Sequence, residues 1–214
     1  MWKSLMAGAL LAFSALSSVE AATVTIDATG LGWIDQSGNE NGSLPTNNYL
    51  AGNCGLNDCG IGEYRNFFRF DTTSLHETMV SAVLRLNTFN MEDEQAPSLT
   101  YTITSTVGLT FANLGTGTVF GSRSYSDADD FKFFDIALNA AGIAAVGGND
   151  FIISGRVTSP TLFGPAEPNQ FVFGGADGWA QLIVVTVPEP ATWAMVLVGL
   201  AGLGVGARRR GLST

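Results

Sequence analysis

The sequence contains a single histidine, His76, and this limits the acid–base chemistry that the chain can perform. A nucleophilic triad needs a histidine or another base within hydrogen-bond reach of a serine or cysteine. His76 lies in a polar segment between two predicted strands, where we interpret it as a solvated or capping side chain. The sequence therefore predicts no catalytic residue and a protein that is not an enzyme.

Carboxylates are numerous, and a pair of them is what most glycoside hydrolases use. No acidic residue stands in a recognisable motif, so we interpret them as a solvated face, and a glycan-processing enzyme remains the weakest alternative. Two clusters, Asp127-Ala128-Asp129-Asp130 and Glu92-Asp93-Glu94, hold the oxygen ligands that Ca²⁺ prefers. Neither cluster has the spacing of an EF-hand loop. We therefore predict no metal site and no cofactor, with Ca²⁺ as the alternative.

Aromatic side chains next to polar groups are the residues that would stack on a sugar. In alternating strands, however, such residues are more often core than platform. Trp33, Arg65 and Arg69 are the candidate glycan-binding residues, and both arginines lie on one face of a predicted strand. Ion pairing of the arginines with buried acids such as Asp71 or Asp35 is the favoured alternative. The aromatic residues considered as a platform are Trp33, Trp179, Tyr49, Tyr64, Tyr101 and Tyr125.

Short strands are the elements that must position these residues. The chain is rich in Gly, Thr, Val and Phe, and strand-like segments recur with turn signals between them, as is typical of an all-β sandwich. The predicted strands are 23–27, 31–35, 64–70, 80–87, 99–107, 117–125, 131–136, 150–156, 170–174 and Ala180–Val187.

One alanine-rich segment interrupts this pattern. It predicts a short helix over 139–146, with Asn139 as N-cap and Gly147 as C-cap. The polar segment 35–62 has little periodicity and is predicted to be a long loop. The fold class expected is a jelly-roll-like antiparallel β-sandwich with one short helix.

Both ends of the 214-residue chain carry targeting signals. Lys3, an apolar run over 5–16 and Val19-Glu20-Ala21 predict a signal peptide over residues 1–21. Near the other end, residues 191–207 carry no charge and are followed by Arg208, Arg209 and Arg210. A bilayer core about 30 Å thick needs about 20 apolar residues, with a lower limit near 17, so 191–207 is predicted to span it as a helix. The arginines predict a cytoplasmic end.

Between these ends, residues 22–187 form one predicted domain with six basic and seventeen acidic residues, a net charge of −11. Such a surface excludes nucleic acid as a partner, because phosphates require Lys and Arg. It fits an exported protein or a neutral glycan partner.

The two cysteines, Cys54 and Cys59, lie close together in this domain. In the oxidising compartment outside the inner membrane a disulfide is favoured, and a loop this small stabilises the fold by at most about 2–3 kcal/mol. Free thiols or a metal site are the alternatives, although no second cysteine pair is present.

The C-terminal segment has three parts in order: Pro188-Glu189-Pro190, the predicted span and the arginine cluster. This order resembles the PEP-CTERM sorting signal of Gram-negative bacteria. The resemblance implies recognition by an exosortase and an inner-membrane anchor facing the periplasm before processing. The resemblance also implies delivery to the cell surface or the extracellular matrix, in association with exopolysaccharide and biofilm. A plain tail anchor is the alternative.

A second resemblance covers residues 62–71 and 80–86, which read Gly-Glu-Tyr-Arg-Asn-Phe-Phe-Arg-Phe-Asp and Val-Ser-Ala-Val-Leu-Arg-Leu. These segments resemble exported β-sandwich domains of the DNRLRE and YRNFF types, for which no catalytic residue is implied.

The sequence thus predicts a signal peptide (1–21), a β-sandwich (22–187) and a sorting signal (188–214). We expect a structural protein of the envelope or matrix. A carbohydrate-binding module for exopolysaccharide is the first alternative.

Overall fold

A computed structural model describes residues 20–55, 62–87, 92–93, 98–147, 150–159, 166–173 and 178–188. Within these residues the chain forms strands and one short α-helix, α1. In order they are β1 (Ala22–Asp35), β2 (Ala51–Cys54), β3 (Gly62–Asp71), β4 (Thr78–Asn87), β5 (Glu92–Asp93), β6 (Leu99–Ser105), β7 (Val119–Tyr125), β8 (Phe133–Ala137), α1 (Ala140–Ala145), β9 (Asp150–Ser159), β10 (Gln170–Val172) and β11 (Ala180–Val187).

The predicted all-β class with one short helix is confirmed: antiparallel strands form a sandwich. In the larger sheet, β3 is central, with the second half of β1 on one edge and β9 and then β2 along the other. The sheet continues from β9 to β6 and β7, and from β2 to β10 and β5. In the smaller sheet, β11 and β4 lie side by side and β8 pairs with β4.

Strand β1 belongs to both sheets. Its register against β3 shifts between Ala28 and Gly30, and β11 lies beside it. The side chain of Gln181 on β11 donates to Asp27 Oδ1 at 2.7 Å, so β11 contacts the first half of β1. The sequence predicted two separate strands here, because the irregularity interrupts the alternation of side chains at the point where the strand changes sheets.

The main core fills the space between the sheets. Phe68 and Phe70 of β3 and Tyr101 of β6 belong to the same buried cluster as Leu84 of β4 and Leu182 of β11. The outer face of β3 is also buried, because Phe67 packs with Ile34 and Leu114 under the segment between β6 and β7. Strand β3 is therefore covered on both faces.

The predicted loop over 35–62 and the predicted ends of the helix and of one strand differ slightly from the structure. The segment 35–62 contains β2 and isolated bridges from Leu31 to Leu44 and from Ile34 to Glu40, so it is not a plain loop. The N-cap of α1 is Asn139 as predicted, since its side chain accepts the Gly142 N–H.

The C-cap of α1 is Val146 rather than Gly147, which follows with a φ of +151°. Strand β8 begins at Phe133, because Phe131 adopts a left-handed φ of +55° in a turn.

The chain divides into a unit from Thr23 to Thr186 and a second unit made of Met1–Ala22 and Val187–Thr214. Of the second unit, the structure describes only residues 20–22 and 187–188. The predicted signal peptide, the span 191–207 and Arg208–Arg210 lie outside the described residues apart from Glu20 and Ala21. Within the part that the structure describes, no helix is long and apolar enough to cross a membrane.

Candidate functional site

The candidate glycan-binding residues of the sequence do not come together. Trp33 lies opposite Asn66 in the pairing of β1 with β3, whereas Arg65 lies opposite Ile34. Since side chains alternate along strands, Trp33 and Arg65 point to opposite faces of the larger sheet. Trp33 is half-buried and packs edge-on against Tyr64, with ring centroids 4.9 Å apart.

Arg65 is buried in an internal ion pair. Its Nε and Nη2 donate to the two carboxylate oxygens of Glu63 at 2.8 and 3.0 Å, and its Nη1 donates to the carbonyls of Phe111 and Leu114, both at 3.0 Å. The guanidinium also lies 4.1 Å above the Phe111 ring. These contacts fasten the segment between β6 and β7 to the outer face of β3. The expected ion pairing of Arg65 with a buried acid is confirmed, but the partner is Glu63 rather than Asp71 or Asp35, because Glu63 lies two residues away on the same strand face.

The other proposed acid partners are engaged locally. Asp35 is buried and accepts from the backbone of Ser37 and Asn39, and Asp71 accepts from Thr73. Arg69 is half-buried, and its Nε makes no hydrogen bond within the described part of the chain.

The four tyrosines considered as a sugar platform are core residues, all of them buried. Three of them, Tyr49, Tyr101 and Tyr125, surround Phe173 with ring centroids 5.1 to 5.5 Å away. Burial raises the pKa of Tyr49 and of Tyr101, so both hydroxyls stay protonated and act as hydrogen-bond donors.

These hydroxyls belong to a chain of buried hydrogen bonds. Tyr101 donates to Asn66 Oδ1 at 2.7 Å, and Asn66 Nδ2 donates to the Tyr49 carbonyl at 2.7 Å. The Tyr49 hydroxyl lies 2.6 Å from Asn87 Oδ1, which accepts the backbone N–H of Trp179 at 2.8 Å. The core thereby fixes the position of Trp179.

Trp179 borders an open cleft of about 370 Å³ on the smaller sheet, lined by Arg85, Phe133, Phe134, Asp135 and Trp179. Arg85 lies directly opposite Asp135 in the pairing of β4 with β8, and Asn87 opposite Phe133. Opposed and alternate residues share a face, which brings Arg85, Asp135 and Phe133 together. We call the surface lined by these five residues the aromatic cleft.

The aromatic cleft combines a charge pair with an aromatic pair. Arg85 Nε and Nη2 donate to the two oxygens of Asp135 at 2.7 and 2.8 Å, with side chains 39 % and 46 % exposed. The rings of Phe133 and Trp179 lie 5.0 Å apart at 33°, and Phe133 is 60 % exposed. The sequence analysis missed this site because the site depends on the β4–β8 register. The pair Phe133-Phe134 could have indicated it: side chains alternate along a strand, so one of two consecutive phenylalanine rings must point outward.

The hydrogen bonds from Arg85 hold the pKa of Asp135 below its ordinary value of 3.8. We expect Arg85→Gln to raise the Asp135 pKa toward 3.8, as measured by carboxyl NMR titration. A lowered pKa means that the stabilisation is present above the unfolded-state pKa and is lost as the pH falls through the folded-state pKa. The effect on stability is small because the pair is exposed.

Asp71 is the matched control for this titration. Hydrogen bonds from Thr73 lower its pKa, so it should titrate alike in both proteins. An Asp135 pKa that is unchanged in Arg85→Gln would contradict the pairing.

Of the two candidate calcium clusters, the structure describes the side chains of Asp129 and Asp130. Asp129 accepts from Ser126 in a 3₁₀ turn, and Asp130 Oδ1 accepts from the Phe131 N–H. Glu94 lies outside the described residues. Where the structure describes the chain, no three His, Cys, Asp or Glu residues gather as a metal site. Cys54 is buried at the end of β2 while Cys59 lies outside the described residues, so their disulfide stays a prediction.

Comparison with known proteins adds three findings. Among solved structures the chain is similar to the K1 cleaved adhesin domain of Lys-gingipain from Porphyromonas gingivalis W83. The two share 11% identity over 80% of this chain and 98% of that chain, with a TM-score of 0.33. The search of curated proteins finds no match. The resemblance to DNRLRE- and YRNFF-type domains is not confirmed.

The third finding concerns the C-terminal segment. Strand β11 ends at Val187, and the exposed Pro188 follows it. The PEP-CTERM protein-sorting motif matches residues 186–210, which include Pro188-Glu189-Pro190 and the arginine cluster. The chain therefore carries a PEP-CTERM sorting motif, which implies an exported protein that is anchored in the membrane and processed by an exosortase.

Proposed function

We propose that this chain is a non-catalytic structural protein of the cell envelope or extracellular matrix, delivered there by an exosortase. The observation that carries the proposal is the position of the sorting motif directly after the last strand of the sandwich. Processing at Pro188-Glu189-Pro190 would release β1 to β11 intact, facing the periplasm first and the cell exterior afterwards.

The state of the acidic groups supports a role without catalysis. Glu63 and Asp135 are held by arginines, and Asp35 is held by a turn. His76 is exposed in the segment between β3 and β4 and makes no hydrogen bond to another described residue.

The test compares the full chain in a Gram-negative host with and without its exosortase, following the sandwich with an antibody. With the enzyme present, we expect a shortened form in the extracellular matrix. Without it, the full-length chain should remain in the inner-membrane fraction. Recovery of the same shortened form from the matrix of both strains would overturn the proposal.

A further inference from the structure

We propose that the aromatic cleft binds a neutral sugar residue of a glycan chain. The cleft is lined by Arg85, Phe133, Phe134, Asp135 and Trp179, and its volume of about 370 Å³ lies within the range of small-ligand sites. This assignment does not depend on the route of export, because an unprocessed chain contains the same cleft.

The aromatic pair supplies the apolar part of such a site. A pyranose ring presents a face of C–H groups, which packs on an aromatic ring with little loss of side-chain freedom. Phe133 is 60 % exposed and rests against Trp179, so its free face is held in place before a ligand arrives. The backbone N–H of Trp179 is itself held by Asn87 Oδ1, which the Tyr49 hydroxyl also contacts.

The charge pair supplies the polar part. A guanidinium has five N–H donors, and Arg85 uses Nε and Nη2 for Asp135. Its Nη1 donors meet no acceptor among the described residues, and each Asp135 oxygen keeps a lone pair. Donors and acceptors side by side match vicinal hydroxyls, each of which both donates and accepts.

Charge favours a neutral ligand over an anionic one. Arg85 is balanced by Asp135, and the one further cation beside the lining among the described residues is Arg123, whose guanidinium lies against Phe134, 3.9 Å from the ring centroid. The surrounding domain, residues 22–187, carries a net charge of −11 and repels polyanions. Neutral hexose or N-acetylhexosamine units are the class that fits.

The test uses the full chain, solubilised in a detergent without a sugar headgroup. Binding is measured on an array of neutral oligosaccharides of glucose, galactose, mannose and N-acetylglucosamine, and then by calorimetry with the best of them. We expect Phe133→Ala and Arg85→Gln each to weaken binding by about tenfold. The matched control is Phe131→Ala, because Phe131 is 75 % exposed but does not line the cleft.

Three outcomes would overturn the assignment: no binding on the array, binding by both cleft variants that is as strong as that of the unmodified chain, or the same loss of binding in Phe131→Ala. A self-association that Phe133→Ala abolishes, with no sugar binding, would instead assign the cleft to protein contacts. If a cleft variant fails to fold, the unmodified chain is titrated with the sugar and the NMR signal of the Trp179 indole N–H is followed. We expect this signal to shift, and an unchanged signal would contradict the proposal.

Discussion

Replacing Pro188 and Pro190 together by alanine is expected to leave the chain unprocessed in the inner membrane. Proline fixes φ near −65° and disfavours helix in the residue before it, so the sequence predicts an extended motif, the form in which proteases bind their substrates. Alanine is the best helix former. The double variant reads Ala-Glu-Ala directly before Ala191, so the helix predicted over 191–207 is expected to extend through the motif and remove the extended segment.

The measurement is cell fractionation with mass determination of the product. Pro45→Ala is the matched control, because Pro45 is an exposed proline in the segment between β1 and β2. The control should be processed like the unmodified chain. Normal processing of the double variant would show that the prolines do not direct sorting.

Breaking the buried ion pair is expected to have the largest effect on folding. Glu63→Gln leaves the Arg65 guanidinium uncompensated although its side chain is only 11 % exposed. Arg65→Met leaves the Glu63 carboxylate with Arg156 alone, whose Nε lies 3.9 Å from Glu63 Oε1. Removal of one partner from a buried pair costs about 3–5 kcal/mol. We therefore expect Glu63→Gln to lower the free energy of unfolding by about that amount and Arg65→Met by less, as measured by urea unfolding of the exported protein.

The double variant Glu63→Leu/Arg65→Met distinguishes an unpaired charge from lost packing. Apolar replacement of both partners is often neutral, so part of the loss should be recovered, and the remainder reflects Arg156, which loses its contact with Glu63. Arg85→Gln is the control, because its exposed pair with Asp135 contributes at most about 1 kcal/mol. A loss in Glu63→Gln as small as that of the control would refute the buried-pair interpretation.

The strands could be predicted largely from local pattern. Leu84 and Leu86 of β4 alternate cleanly with more exposed residues, and Asn139 has the side chain that an N-cap needs. Strands β2 and β5 were missed. Each is four residues or fewer, and its pairing is set by distant partners rather than by its own periodicity.

The candidate site was less predictable because its geometry is tertiary. Trp33 and Arg65 attract attention by residue type, yet alternation places them on opposite faces of one sheet. Arg85 and Asp135 are fifty positions apart, and only the β4–β8 register makes them a pair. The sorting motif needed no such information, since its residues are contiguous in the sequence, from 186 to 210.

The place of β11 within the smaller sheet has a mechanical consequence. The sequence that tethers the domain continues from the end of β11, and this strand lies between β1 and β4 rather than at a sheet edge. A pull on the tether along the strand loads the bonds to both neighbours together in shear, instead of peeling them one by one. Forced unfolding depends on the unfolding rate, which such loading keeps low. Tension between the anchor and the domain before processing would therefore be resisted by β1 and β4 together.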